Sequence, residues 1–162
     1  MEHKTLWAPW RIDYILSEKD DGCIFCKTSK KDNDRENLIL NREEHSFAIM
    51  NKYPYNSGHL MVVPYKHTHD IEELSEDELL SIHKQIRLSI KVLKKAFNPD
   101  GFNVGLNIGK AGGAGIDEHL HYHVIPRWVG DNNFMPVISD TRIVPQSIYE
   151  TYDLLKNFFK NN

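Results

Sequence analysis

Residues 119–125 read His-Leu-His-Tyr-His-Val-Ile, a strict alternation of imidazoles with apolar side chains. A period of two marks an extended strand, whose successive side chains point to opposite faces. His119, His121 and His123 therefore share one face, and Leu120, Tyr122 and Val124 share the other, which must pack on a core or a helix. The same geometry limits metal chemistry. At ~3.3 Å per residue, His119 and His123 stand about 13 Å apart along such a strand. A single zinc, with bonds of about 2.0–2.1 Å to nitrogen, is not reached from all three. A divided arrangement is easier: one end histidine serves structure, the central one does chemistry, and the other contacts substrate. A chance polar stripe on an exposed sheet is disfavoured, because histidine is an uncommon residue and this row directly follows a glycine-rich loop.

That loop is Gly109-Lys110-Ala111-Gly112-Gly113-Ala114-Gly115. Glycines let successive backbone N–H groups converge on an anion. The loop lacks the Lys-Ser/Thr ending of a Walker motif, and no Rossmann fingerprint is present. By itself it is equally a flexible hairpin connection; beside a histidine row, phosphate binding is the better reading. A neutral imidazole can attack phosphorus and hold the transferred group covalently, and its ordinary pKa of about 6.5 keeps a neutral fraction at pH 7. Loop amides would stabilise charge on the phosphoryl oxygens. Strand and loop together point to nucleotidyl or phosphoryl transfer through a histidine adduct.

The 162 residues fit one domain spanning 1–162, with an N-terminal arm (1–22) and a C-terminal tail (140–162) that carries a helix. A net charge of −3 argues against a protein that coats nucleic acid. No apolar run approaches the ~18 residues of a membrane span, and Met1 is not followed by a leader-like apolar stretch. Both cysteines fall in Cys23-Ile24-Phe25-Cys26, so no disulfide framework is implied and a reducing cytoplasm fits best. A short helical turn is expected near Trp10–Leu16 and an exposed charged loop over 27–36. Strands are expected at Leu38–Leu40, Phe47–Asn51, His59–Val63, Phe102–Ile108 and Glu118–Pro126. Ser75-Glu76-Asp77-Glu78 matches a capping box. It opens a helix of about 20 residues whose apolar stripe is Leu79, Ile82, Ile86, Ile90, Leu93 and Phe97. Asn98-Pro99-Asp100-Gly101 stops it, and a last helix is expected over Ser147–Phe159. The order of elements implies an α+β fold with a mostly antiparallel sheet.

Cys23 and Cys26 have the spacing of a zinc knuckle, but zinc would need two more ligands. His67 and His69, which follow Pro64, and His119 are available in the sequence. A redox role is weaker, because no thioredoxin-like pattern surrounds the pair. Lys91, Lys94 and Lys95 read as a solvated helix face, not a nucleic-acid patch. Tyr53-Pro54-Tyr55 is equally an adenine wall or an aromatic turn. Trp7 and Trp10 either cover a pocket or dimer seam, or pack the arm down.

His119-Leu120-His121-Tyr122-His123-Val124-Ile125 is the full histidine-triad motif, and the chain resembles the histidine-triad (HIT) superfamily over nearly its whole length. Trp7-Ala8-Pro9-Trp10-Arg11, Tyr53 to His59, Gly113 to Ile116, and Pro126-Arg127-Trp128 followed by Gly130 to Val137 resemble its bacterial branch of diadenosine tetraphosphate phosphorylases, also called ATP adenylyltransferases. The resemblance implies a five-stranded antiparallel sheet with one long helix and a C-terminal helix, paired as a homodimer. It implies that His121 is the nucleophile that becomes adenylylated and that His123 contacts the scissile phosphate. Asn51 would bind ribose or a neighbouring part of the nucleotide, and His59 would line the pocket. Asn107 and the backbone of Ala114, Gly115 and Ile116 would hold phosphate oxygens. It also implies structural Zn²⁺ on Cys23, Cys26, His67 and His119, with Mg²⁺ accompanying substrate. Many hydrolase members carry Gly-Gln where this chain has Ala114-Gly115, which favours phosphorolysis: inorganic phosphate would attack the adenylyl-histidine, and diadenosine tetraphosphate would yield ADP and ATP. The alternatives are a hydrolase of dinucleoside polyphosphates or nucleoside phosphoramidates, a non-catalytic nucleotide-binding module, and a mononuclear zinc hydrolase.

Overall fold

Short apolar runs bounded by turn formers become strands here, and one long amphipathic stripe becomes the helix that covers them. In the computed structural model, which describes residues 22–54, 56–131 and 147–161, the strands are β1 (Ile39–Arg42), β2 (Ser46–Met50), β3 (Leu60–Pro64), β4 (Gly101–Leu106) and β5 (Tyr122–Arg127). They form a five-stranded sheet in the order β1-β2-β3-β5-β4, and every neighbouring pair is antiparallel. Among the described residues the helices are α1 (Ile24–Ser29), α2 (Glu76–Phe97) and α3 (Ile148–Lys160). The expected turn at Trp10–Leu16, Trp7, Trp10, Tyr55 and the stretch 132–137 lie outside the described residues.

β2 and β3 are buried at every position. Both of their faces are covered, which is why they read as continuous apolar runs and not as alternations. α2 begins at the expected capping box: Ser75 Oγ accepts from the Glu78 N–H, and the Glu78 carboxylate accepts from the Ser75 N–H. Such a cap is worth about 1 kcal/mol. The helix ends at Asn98 in the left-handed region (φ 45°). Ile82, Ile86 and Leu93 of the expected stripe are buried, and Leu79, Ile90 and Phe97 pack against the core. The buried face is wider than the stripe, because Ser81, Gln85 and Ser89 are also buried. Two of these find partners on the sheet: Ser81 Oγ lies 2.8 Å from Ser46 Oγ, and Gln85 Oε1 accepts from Asn41 Nδ2 at 3.1 Å.

α3 covers the β1 edge. Tyr152 Oη donates to the Ile39 carbonyl (3.0 Å), and Lys156 Nζ donates to the carbonyls of Ile39 (3.1 Å) and Leu40 (3.0 Å). An edge strand whose carbonyls are occupied cannot template further pairing. The charged stretch 27–36 is only partly loop, since α1 runs to Ser29. The chain beyond α1 wraps around Arg42, whose guanidinium donates to Asp34 (2.9 Å), the Ser29 carbonyl (2.6 Å) and the Lys31 carbonyl (2.9 Å).

The largest departure from expectation concerns the histidine segment. β5 starts at Tyr122, not at Glu118, so His119 and His121 precede the ladder. The β3–β5 register pairs Val62 with Tyr122. Continued by two residues it sets Leu120 opposite Pro64, which has no N–H to give. The segment bonds instead to the chain leaving β3: the Leu120 N–H donates to the Thr68 carbonyl at 2.8 Å.

Among the described residues, no helix is long and apolar enough to cross a membrane.

Candidate active site

The imidazoles of the histidine segment form part of one continuous row of rings. His119 meets Phe25 (centroids 5.5 Å apart), Phe25 meets His121 (5.1 Å), His121 meets His123 (4.9 Å), and His123 meets His59 (5.1 Å). His59, His119, His121 and His123 are all buried. His59 enters from the turn before β3. That turn needs Gly58, which has φ +75° and whose Cβ position would lie 2.9 Å from the Phe97 ring. A side chain there would be both strained and overpacked.

Protonation along the row is set by groups that can act in one way only. The Tyr53 N–H donates to Asn51 Oδ1 at 2.9 Å. The amide NH₂ of Asn51 is thereby turned to His59 Nδ1, 3.3 Å away. His59 Nδ1 accepts, so its proton sits on Nε2 and is donated to His123 Nδ1 at 2.9 Å. His123 in turn carries its proton on Nε2. His121 is set separately: its Nδ1–H donates to the His119 carbonyl at 2.9 Å. The lone pair of His121 is therefore on Nε2, the nitrogen a nucleophile would use. Asn51, expected from the resemblance to hold ribose, is thus also the residue that sets the tautomers of His59 and His123.

His119 faces the other way. Its Nε2–H donates to the Pro64 carbonyl at 2.9 Å, which leaves the lone pair on Nδ1. That atom lies 3.2 Å from Cys23 Sγ, 3.6 Å from Cys26 Sγ and 3.2 Å from His67 Nδ1, and Cys26 Sγ lies 3.4 Å from His67 Nδ1. All four ligand atoms fall within 4.8 Å of one another. One lone pair cannot accept from three donors, but all four atoms can converge on a cation. A tetrahedral zinc site, from its ordinary bond lengths, has N···S edges of about 3.6 Å and N···N edges of about 3.3 Å. The cluster fits that set, and the carbonyl behind His119 orients the ligand as in many metal sites. The Cys₂His₂ group could hold a metal. His69, the other histidine available after Pro64, is exposed and lies outside the cluster.

The glycine loop closes into a 3-10 turn, Lys110–Gly112, with Gly113 at φ +83°. Its Gly112, Gly113 and Ala114 N–H groups bond back to the carbonyls of Gly109 and Lys110. Among the described residues, the N–H groups of Gly115 and Ile116 make no backbone bond. Of the expected phosphate-holding segment, then, Gly115 and Ile116 are the positions that can offer N–H groups, while the Ala114 N–H is engaged at 3.3 Å. The Asn107 amide donates to the Gly113 carbonyl at 3.4 Å and braces the loop.

Three further features escape a reading of the sequence. Phe25 is inserted between two imidazoles, and its place between two cysteines was the available signal. The Pro64 and His119 carbonyls act through the backbone and leave no trace in residue type. Asn56 donates to Asp131 at 2.8 Å and Arg127 grips the same carboxylate twice, at 2.6 and 2.8 Å. This ties the turn carrying Asn51 and His59 to the end of β5, and the Arg127 guanidinium holds the Asp131 carboxyl well below the usual carboxylate range.

Burial decides the charge state of the row. His59 is pushed down to about 3, first by burial and then by His123 and His121. His123 is pushed down to about 4, first by burial and then by His121. Burial also lowers His121, against the opposing pull of its bond to the His119 carbonyl. All three are neutral at pH 7, as an imidazole nucleophile and its donor neighbour require.

Residues 32–129 match the model of the HIT domain family. The chain is 38% identical over 161 residues to an AP-4-A phosphorylase from Mycobacterium tuberculosis, an alignment covering 94% of this chain and 82% of that protein. Its fold is similar to that of a histidine triad nucleotide-binding protein from Sulfolobus tokodaii (TM-score 0.68, 30% identity, 86% of this chain and 93% of that one). It is similar to the same degree to that of a Zn-bound histidine triad family protein from Mycobacterium smegmatis (TM-score 0.68, 24% identity, 86% and 94%).

The buried His59–His123 pair makes stability depend on pH. An unfolded imidazole protonates below about 6.5, whereas the folded pair resists protonation until about 3 to 4. The unfolded chain therefore binds more protons between these limits. Stability is fully present above pH 6.5 and falls with pH by up to about 1.4 kcal/mol per unit for each imidazole. Urea unfolding at pH 6.5, 5.5 and 4.5 should show a steeper loss for wild type than for His59→Asn/His123→Asn. Equal slopes would contradict the burial of both rings as neutral groups.

Proposed function

The chain belongs to the HIT domain family, and from that premise we propose that it is an enzyme that cleaves adenine dinucleoside polyphosphates through an AMP adduct on His121. The observation that carries the reading is the bond from His121 Nδ1–H to the His119 carbonyl, which leaves a neutral Nε2 lone pair beside the His123 ring. In the first step His121 Nε2 attacks the α-phosphorus of diadenosine tetraphosphate. An N–P bond forms as the P–O bond to the departing ATP breaks. In the second, an oxygen of inorganic phosphate attacks the same phosphorus, the N–P bond breaks, and ADP is released. His123, with its proton on Nε2, donates to the phosphoryl oxygens as charge develops there. The N–H groups of Gly115 and Ile116 serve the same charge. Asn51 has a second amide hydrogen for a ribose hydroxyl, and His59 holds His123. Adenine dinucleoside polyphosphates as the substrate class draw support from the extended identity to the M. tuberculosis relative. Phosphate as acceptor draws support from Gly115, which offers backbone and no side chain where many hydrolases place glutamine.

Cys23, Cys26, His67 and His119 would hold Zn²⁺, which suits their mixed thiolate and imidazole donors, and the ion would serve to fix these four side chains in place. Mg²⁺ accompanies the substrate polyphosphate. The chain works as a homodimer. Among the described residues β4 pairs on one side only, and Val104 and Ile108 are exposed along and just beyond it. Cys23 and Cys26 form no disulfide, which suits a reducing cytoplasm.

Pure protein incubated with diadenosine tetraphosphate should give ADP and ATP in proportion to added inorganic phosphate. AMP and ATP at the same rate with and without phosphate would instead establish hydrolysis and refute phosphate as the acceptor. Zinc added back to chelator-treated protein should bind at about one equivalent per chain and raise the unfolding midpoint, as a ligand of the folded state must. Cys26→Ser should lose at least 100-fold in zinc affinity. A midpoint indifferent to chelator would contradict the structural role.

A further inference from the structure

α1 is a helix of six residues whose first cap, Cys23, makes no side-chain capping bond. A helix this short has no stability of its own. Its position comes from what it and its cap touch: the thiols of Cys23 and Cys26 in the Cys₂His₂ cluster, and the ring of Phe25 between them. Phe25 is 3% exposed. It lies edge-on to His119 at 71° and tilted at 45° against His121. His121 also meets the His123 ring, at 77° and 4.9 Å. Two rings therefore wall His121, and its third restraint is the bond from Nδ1 to the His119 carbonyl.

These contacts divide the work of holding a nucleophile. The Nδ1 bond selects which nitrogen bears the proton, but one hydrogen bond leaves the ring free to swing about its side-chain torsions. The two ring walls remove that swing. His123 is itself held by His59, so one wall is anchored through the sheet. The other wall is anchored through α1.

We propose that Phe25 is a positioning residue for His121, and that through it the Cys-x-x-Cys turn holds the nucleophile in line with the scissile phosphate. The proposal rests on His121 as nucleophile. It assigns Phe25 no contact with the reacting atoms. In this arrangement the Cys₂His₂ cluster and the nucleophile are one mechanical unit, joined twice: by the Phe25 ring and by the His119 residue, whose imidazole faces the cluster and whose carbonyl receives His121.

The test compares wild type with Phe25→Leu and Phe25→Ala, each loaded with one zinc per chain. Leucine keeps most of the apolar volume, so the fold survives even where alanine weakens it. Long-range ¹H–¹⁵N spectra of the histidine rings are read first. In wild type, His121 should show two widely separated nitrogen shifts, one protonated and one bare, from a single tautomer. In the variants the ring should swing off the His119 carbonyl, break the Nδ1 bond and sample both tautomers, so the two shifts should move toward each other. With diadenosine tetraphosphate, kcat should fall about 10- to 100-fold, the scale of a small misplacement of a reacting group, while KM stays within about twofold. Wild-type His121 shifts in both variants, or an unchanged kcat, would overturn the proposal. If wild type itself fails to turn over, the functional reading fails, and the nitrogen shifts still decide the role of Phe25.

Discussion

The chemistry of His121 depends on one hydrogen bond, the donation from its Nδ1–H to the His119 carbonyl. An imidazole offers two nitrogens and can present either as a base. A carbonyl oxygen has no proton, so the bond compels the proton onto Nδ1 and leaves the lone pair on Nε2. Burial then keeps the ring neutral. The bond spans two residues and exists because this stretch of chain is outside the ladder. Proline at position 64 ends the pairing of β3 with β5, and the freed carbonyl of His119 turns to receive the ring. Sheet geometry and the tautomer of His121 are linked at that point.

The two flanking histidines are set by the same kind of device in opposite senses. His119 gives its Nε2–H to the Pro64 carbonyl and so presents Nδ1 to Cys23, Cys26 and His67. His123 receives at Nδ1 from His59 and so presents an N–H at Nε2. Three chemically identical side chains in alternation thus present an Nδ1 lone pair aimed at two thiols, an Nε2 lone pair and an Nε2–H donor. Each assignment begins at a backbone group: the Pro64 carbonyl, the His119 carbonyl and the Tyr53 N–H. Backbone groups have no choice of role, and a buried site can rely on them.

Much of the fold was legible in the sequence. The capping box and the apolar stripe located α2 almost to the residue, because they report local bonds and a single buried face. β2 and β3 were legible as apolar runs between turn formers. The start of β5 was not, since it depends on which residue of another strand lies opposite Leu120. In the candidate site, the alternation put three imidazoles together and excluded one metal shared by all three. The ligand set, drawn from resemblance, meets in space. The tautomers were beyond reach, because they depend on main-chain groups that residue types do not reveal. The double duty of Asn51 was hidden for the same reason: its partner is the N–H of Tyr53, two residues on. The role of Phe25 was equally out of reach, since only the fold sets it against His121.

The central claim is that the bare Nε2 of His121 becomes covalently joined to AMP. The most direct measurement is a single-turnover reaction with diadenosine tetraphosphate in the absence of inorganic phosphate, quenched under alkaline denaturing conditions that preserve a phosphoramidate. Intact-mass and peptide analysis should then find one AMP per chain, carried by the peptide that contains His121, and added phosphate before the quench should discharge it as ADP. An active protein that carries no AMP at any time point, or carries it on another residue, would contradict the account.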